Sequence, residues 1–474
     1  MQMLLSRIGL YSERPVRLIK VLLPALVAGL LCACTQTSLN RDAVSFSLSE
    51  EAEDTSRVDG LKVRFDGMPG PDAVMRILVV NGMATDAHGY SFEVQREIAN
   101  RLGEATCASD MVIDLDPPAF IAGRQDGDRF DLPPATLRVT DWADGEGEEP
   151  RIIFYELLWT PYADAFTDQF LAPFETDLRY GANPEWTYCG GEPDRPSAKE
   201  RRVEGRDRPP RALLNALLKD DVMVAGLTDA VLSVGPLGAA ARDAIRQSVC
   251  IMAADALEVP PRPLDAPRCK LSDETLARFG GVANVAAHLD QHEFTFLTYS
   301  LGSFMLLDSL DEFRLWPGDL GPPELTCRLI PALLDDTPVY MFSNQVSLLL
   351  TAHPHLGCDP DGSCDLYGEF GGRRLLLTDP RDRGRVGDKA GVCRAGSRLQ
   401  IVAFNDPNDI MGYRVPDYLT DSPMIGRVVN VRVRNPAFWL PGLLANPVAA
   451  HSNHGNNPAI LDFIIKGWMG EPGS

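Results

Sequence analysis

Beyond residue 72, short apolar runs closed by polar or glycine residues alternate with stretches whose apolar positions recur at helical spacing. Six runs read as strands: RILVVN (76 to 81), RIIFYEL (151 to 157), EFTFLTY (293 to 299), PVYMFS (338 to 343), LQIVAF (399 to 404) and VVNVRV (428 to 433). Most are almost unbroken apolar runs, as strands covered on both faces should be. Between them, 211 to 232 and 239 to 253 read as helices. A third helix is bounded by its own signals: Asn457 as cap, Pro458 in the first turn and Gly467 at the end. The alternation predicts an α/β fold, a mostly parallel twisted sheet with helices on both faces. No internal repeat is visible, and no polar linker divides residues 71–470, so one large domain with insertions is expected. The stretches 105–150, 176–210 and 352–396 read as loop-rich insertions.

The first 33 residues carry a different signal. Arg7, Arg14, Arg17 and Lys20 precede an apolar run, Val21 to Ala33, in the order of an export signal. The run is shorter than the roughly 20 residues of a spanning helix and contains Pro24. LCAC, residues 31 to 34, resembles a bacterial lipobox, which implies lipidation of Cys34 as the new N-terminus. Cys32 fits less well because bulky Leu31 precedes it. Thr35, rather than an Asp, follows the anchor, which by the same resemblance implies the outer membrane of a Gram-negative envelope. The plainer alternative is a secretory signal cleaved nearby. Residues 34–70, rich in Ser, Asp and Glu and poor in aromatics, have the composition of a flexible tether.

Formal charge is −21 for the chain and −24 once the four basic residues and one acid of the signal are removed. Such a surface repels nucleic acid and anionic headgroups. Membrane attachment is therefore expected through acyl chains on Cys34 rather than a basic patch. Eight further cysteines, an even number in an exported chain, favour disulfides, with Cys358–Cys364 as the expected local bridge. There is no CxxC for a dithiol centre. His353, His355, Asp359, Asp361 and Asp365 cluster in sequence, but their spacing matches no EF-hand loop. A surface excursion between two strands explains them more simply, and no metal or organic cofactor is expected.

The chemistry concentrates at FLTYSLGSF, where an apolar β run meets a helix at Ser300. A strand turning sharply into a helix can raise one side chain above the sheet, provided little bulk lies two positions either side. Gly302 meets that condition, while Thr298 brings a β-branched side chain. LQIVAFNDPNDIMGY then places Asp406 and Asp409 just past a strand end, and NPVAAHSNHGNNP places His451 and His454 in a late loop. Asp409, followed by apolar residues, is preferred over Asp406, which precedes Pro407 and suits a turn brace. His451, behind two alanines, is preferred over His454. The turn VVNGMATDAHGY offers backbone N–H groups near an early strand end, so Met83 and Leu301 are the candidate oxyanion donors. Tyr155, Trp159 and Tyr162 suit a buried strand end without chemistry, and the apolar segment 436–448 reads as acyl pocket, lid or core.

Together these motifs, in this order, resemble the α/β-hydrolase superfamily, in particular bacterial members with an HGMG-like turn and a DPND stretch before the histidine loop. The resemblance implies an eight-stranded sheet and a serine esterase or lipase-like hydrolase, with Ser300 as nucleophile, His451 as general base and acid, and Asp409 orienting the imidazole. The implied substrate is a small acyl or ester compound. Asn81, Ala84 and Thr298 depart from the pattern, and all three surround the reaction centre. The competing expectation is a catalytically silent relative acting as a binding or scaffold protein, or an envelope assembly factor that engages a protein partner through acidic inserts.

Overall fold

The computed structural model describes residues 44–48, 57–82, 89–115, 134–162, 189, 228–233, 236–258, 273–315, 332–352, 354–358, 364–370, 373–374, 399–421, 425–435, 438–440, 444–445 and 447–468. Among these, nine strands form one mixed sheet: β1 (Val44–Leu48), β2 (Met75–Val80), β3 (Thr106–Asp114), β4 (Thr136–Ala143), β5 (Ile152–Leu158), β6 (Glu293–Tyr299), β7 (Pro338–Phe342), β8 (Leu399–Asn405) and β9 (Ile425–Arg432). Their spatial order is β1-β9-β8-β7-β6-β2-β5-β4-β3. The run from β9 to β5 is parallel throughout. β1 at one edge and β4 and β3 at the other are antiparallel.

The parallel core consists of the six strands expected from apolar runs, displaced by at most three residues at an end. Every residue of β2, β5 and β7 is buried. Side chains alternate between two apolar layers: Leu78 and Val80 point to one, Met75, Ile77 and Val79 to the other. The first layer is roofed by α3 (Pro236–Ala256), α4 (Val282–Leu289), α5 (Leu301–Leu315) and α6 (Val346–Ala352). The second is covered by α1 (Leu61–Gly67), α2 (Phe92–Leu102) and α8 (Pro458–Lys466), which pack on one another. α7 (Pro447–Ser452) precedes α8. The expected cap of α8 is present, with Asn457 accepting from the Ala459 N–H at 3.0 Å. No helix among the described residues is long and apolar enough to cross a membrane.

Three expectations need correction. The described residues of the stretch 105–150 are not loop-rich, because they supply β3 and β4, which extend the sheet as an antiparallel pair. Residues 34–70 are not a tether throughout: Val44–Leu48 pairs with β9, and Val58–Asp59 and α1 follow. The sheet has nine strands rather than eight.

Cys107 on β3 is bonded to Cys189, with Cα atoms 5.2 Å apart, and Cys250 is also in a disulfide. Strands Pro354–Cys358 and Cys364–Phe370 form a hairpin whose register sets Cys358 opposite Cys364. The side chains of this hairpin, those of His355 and Asp365 included, lie outside the described residues. So do His353, Asp359, Asp361, residues 1–43 with Cys34, and 190–227. Of the segment 436–448, Phe438–Leu440 and Leu444–Ala445 form a short antiparallel pair.

Candidate active site

Ser300 sits between β6 and α5 with φ +50°. Left-handed backbone is uncommon for a residue with a Cβ, and it persists only where the surroundings over-determine it. Two contacts do so here. The sheet ladder runs one residue past the strand, with the Ser300 N–H donating to the Phe342 carbonyl at 2.8 Å. The first turn of α5 also rests on the end of β2. A Cβ on Gly302 would lie 2.4 Å from the Asn81 carbonyl oxygen, and one on Gly82 would lie 2.8 Å from the Ser300 Cβ. The two turns interlock so closely that each needs a glycine at the crossing.

Three side chains from distant parts of the chain converge on this turn. His451 Nε2 lies 2.9 Å from Ser300 Oγ, and His451 Nδ1 lies 2.9 Å from both carboxylate oxygens of Asp409. The Asp409 side chain has 0% exposure and that of His451 15%, so the carboxylate is sealed while the imidazole keeps an open edge. Burial opposes the charge on Asp409. The hydrogen bond and charge of His451, with the Met411 N–H and the nearby Ser343 hydroxyl, outweigh it and hold the carboxyl below its ordinary pKa. Gly412 makes room, since a Cβ there would sit 2.2 Å from Asp409 Oδ2.

The alternative residues occupy other roles. Asp406 braces its own turn: Oδ1 accepts from the Asn408 N–H at 2.8 Å and Nδ2 at 3.0 Å, and Oδ2 accepts from the Asn435 N–H. His454 is 1% exposed and faces Ser343 and Asn435 behind the site, 2.8 Å from each. Burial pushes its pKa down to about 4, which keeps it neutral near pH 7.

Two of the three departures are accommodated. Thr298 is fully buried, and Ser303, one turn into α5, is small enough to leave it space and bonds its Oγ1 at 2.8 Å. Asn81 is a brace. Its Nδ2 donates to the Gly82 carbonyl and to Thr160 Oγ1 at 3.1 and 3.3 Å, and its Oδ1 accepts from the Trp159 N–H at 3.2 Å. The Trp159 indole N–H closes the clamp on the Asn81 carbonyl at 3.1 Å. Trp159, read from sequence as a buried strand end without chemistry, thus fixes Asn81 at the end of β2.

The chain is held again from Gly89 onward. Buried Glu156 accepts from the N–H groups of Gly89 and Ser91 at 2.9 and 3.1 Å and from the Ser91 hydroxyl. Met83 and Ala84 lie outside the described residues. Leu301 is the first residue of α5, so its N–H has no helical acceptor and stands beside the Ser300 side chain.

Such a chain of contacts can pass the Ser300 hydroxyl proton to an imidazole whose tautomer a buried carboxylate fixes. Among the described residues, no group of three or more His, Cys, Asp and Glu is placed to hold a metal ion. No protein-family model, curated protein or solved structure matches the chain.

Proposed function

We propose that the chain is a serine hydrolase of α/β-hydrolase fold that cleaves an ester or related acyl bond through an acyl-Ser300 intermediate. The observation that carries this reading is the 2.9 Å approach of His451 Nε2 to a Ser300 hydroxyl held in left-handed backbone at a strand-to-helix turn. His451 takes the hydroxyl proton as Oγ adds to the carbonyl carbon, and Asp409 stabilises the imidazolium that results. The oxyanion is received by the Leu301 N–H and by the Met83 N–H. Collapse expels the alcohol with the proton from His451 and leaves the acyl group on Ser300. Water, deprotonated by the same imidazole, then releases the acid. The route draws on no metal or organic cofactor.

The silent-scaffold alternative drew its support from Asn81, Ala84 and Thr298. Asn81 and Thr298 are bonded into the site without displacing Ser300, which favours the enzyme. For location we propose a mature chain anchored in the outer membrane by lipid on Cys34. Its acidic surface, formally −24, would leave the acyl chains as the means of attachment.

A screen of p-nitrophenyl esters of graded acyl length, run on wild type and Ser300→Ala, tests the reading. Turnover that depends on Ser300 supports it and ranks the acyl pocket. Wild-type rates equal to those of Ser300→Ala across the whole series would refute it.

A further inference from the structure

A second serine in the sheet is strained like Ser300. Ser343, immediately after β7 and next to the nucleophile's strand, has φ +51°. Its N–H donates to the Phe404 carbonyl at 3.3 Å, repeating on β8 what Ser300 does on β7. Glycine would take this backbone freely. The consequence of having serine there is a hydroxyl aimed at the C-terminal end of α7, the short helix that carries His451 where the sequence suggested a loop, 2.7 Å from the His451 carbonyl oxygen and 2.8 Å from His454 Nδ1.

Asn435, just beyond β9, holds the same helix end one residue earlier. One hydrogen of its Nδ2 goes to the Ala450 carbonyl at 2.7 Å and the other to His454 Nδ1 at 2.8 Å. Its orientation is set from behind, because Asn457 Nδ2 donates to Asn435 Oδ1 at 2.9 Å. His454 Nδ1 thus faces Asn435 Nδ2, Ser343 Oγ and, at 3.1 Å, the His451 carbonyl oxygen, and the Ser343 hydroxyl donates to that same carbonyl. All four side chains are nearly or wholly buried. Two consecutive carbonyls, those of Ala450 and His451, are thus tied to strand ends β9 and β7.

We infer that Ser343, with Asn435 and His454 behind it, is a positioning residue that fixes the main chain of His451 and so holds its imidazole between Ser300 and Asp409. The inference rests on the reading of Ser300, His451 and Asp409 as the catalytic set. None of the three groups touches a reacting atom. Their effect passes through the backbone of the base and, for Ser343, also through the Asp409 carboxylate that its hydroxyl helps to stabilise, so a hydroxyl lost at 343 should loosen proton transfer while leaving the substrate's binding surface intact.

The test compares Ser343→Ala, which keeps the strain, with Ser343→Gly, which relieves it; both remove the hydroxyl. Two readouts are taken: kcat and KM on a p-nitrophenyl ester, and the downfield proton resonance of His451 Nδ1–H in the full chain. Both variants should lose about 10- to 100-fold in kcat with KM nearly unchanged, and both should shift or broaden the resonance. His454→Asn, whose side-chain oxygen can replace Nδ1 as acceptor for Asn435, should retain most of kcat, whereas His454→Leu should not. Wild-type kcat and an unaltered resonance in Ser343→Gly would overturn the inference. A wild-type resonance that disappears in Ser343→Gly, in a chain that turns over no ester, would uphold the positioning and refute the hydrolase reading. Absence of the resonance from wild type would refute both.

Discussion

Replacing Asp409 by Asn changes one atom in a sealed site, and the geometry dictates which atom. Asp409 Oδ1 accepts from the Met411 N–H at 2.9 Å, while both oxygens lie 2.9 Å from His451 Nδ1. The amide oxygen of an asparagine must stay with Met411, because the opposite rotamer would set two N–H groups against each other in a buried space. The Nδ2 group then occupies the place of Oδ2 and points at Nδ1. His451 can accept that hydrogen only by moving its own proton to Nε2, where it faces Ser300 Oγ and can no longer take a proton from it. In triads of this kind the substitution costs about 10⁴ in kcat, or about 5 kcal/mol of barrier. Pre-steady-state hydrolysis of a p-nitrophenyl ester measures this as loss of the acylation burst. Melting temperature should change little, since the amide fills the same volume. A variant that keeps a tenth or more of wild-type acylation would refute the assignment of Asp409 as the group that sets the tautomer.

Asp406→Asn should act on stability instead, costing about 1–3 kcal/mol through its turn and the Asn435 N–H, with turnover falling far less than in Asp409→Asn. Denaturant melts and kinetics on the two variants check this, and the reverse ranking would exchange their roles. Gly302→Ala places a Cβ 2.4 Å from the Asn81 carbonyl oxygen, so it should destabilise by about 1–3 kcal/mol and slow acylation by moving Ser300; an unchanged melt and rate would contradict the interlocked turns. His454 has a folded pKa of about 4 against 6.5 unfolded, so the unfolded chain binds its proton first as pH falls. Stability should therefore be lost between about pH 6.5 and 4, by about 3 kcal/mol at most from this group. Removing the imidazole in His454→Asn should flatten that slope, and equal slopes in both proteins would contradict a buried neutral His454.

The parallel strands were legible because residues enclosed on both faces leave unbroken apolar runs, which no other element of similar length requires. The outer strands carry weaker signals. β3 is largely exposed or half-exposed along its length, and its partner β4 spends a buried position on Arg138, paired with Asp110 at 3.0 Å. That charge breaks an alternation that would otherwise announce a strand. β1 does alternate, as Val-Ser-Phe-Ser-Leu, but the Ser- and acid-rich composition around it outweighed five residues. Ser300, Asp409 and His451 could be read from chain order because each follows a recognisable strand or precedes a recognisable helix. Ser343, Asn435, Glu156 and Trp159 could not. Each is an ordinary polar or aromatic residue until folding places it against an unsatisfied backbone group from another strand, and no local pattern records that pairing.

Acyl transfer here requires Ser300 to be a hydroxyl that its neighbours make nucleophilic. Incubation with a fluorophosphonate, followed by intact mass and peptide mapping on wild type, Ser300→Ala and His451→Ala, measures this directly. One adduct is expected on wild type, located at Ser300, absent from Ser300→Ala and slowed by orders of magnitude in His451→Ala; this is the signature of a nucleophilic Ser300. A well-folded wild type that takes no label, or one labelled at another residue with Ser300 unmodified, would contradict it.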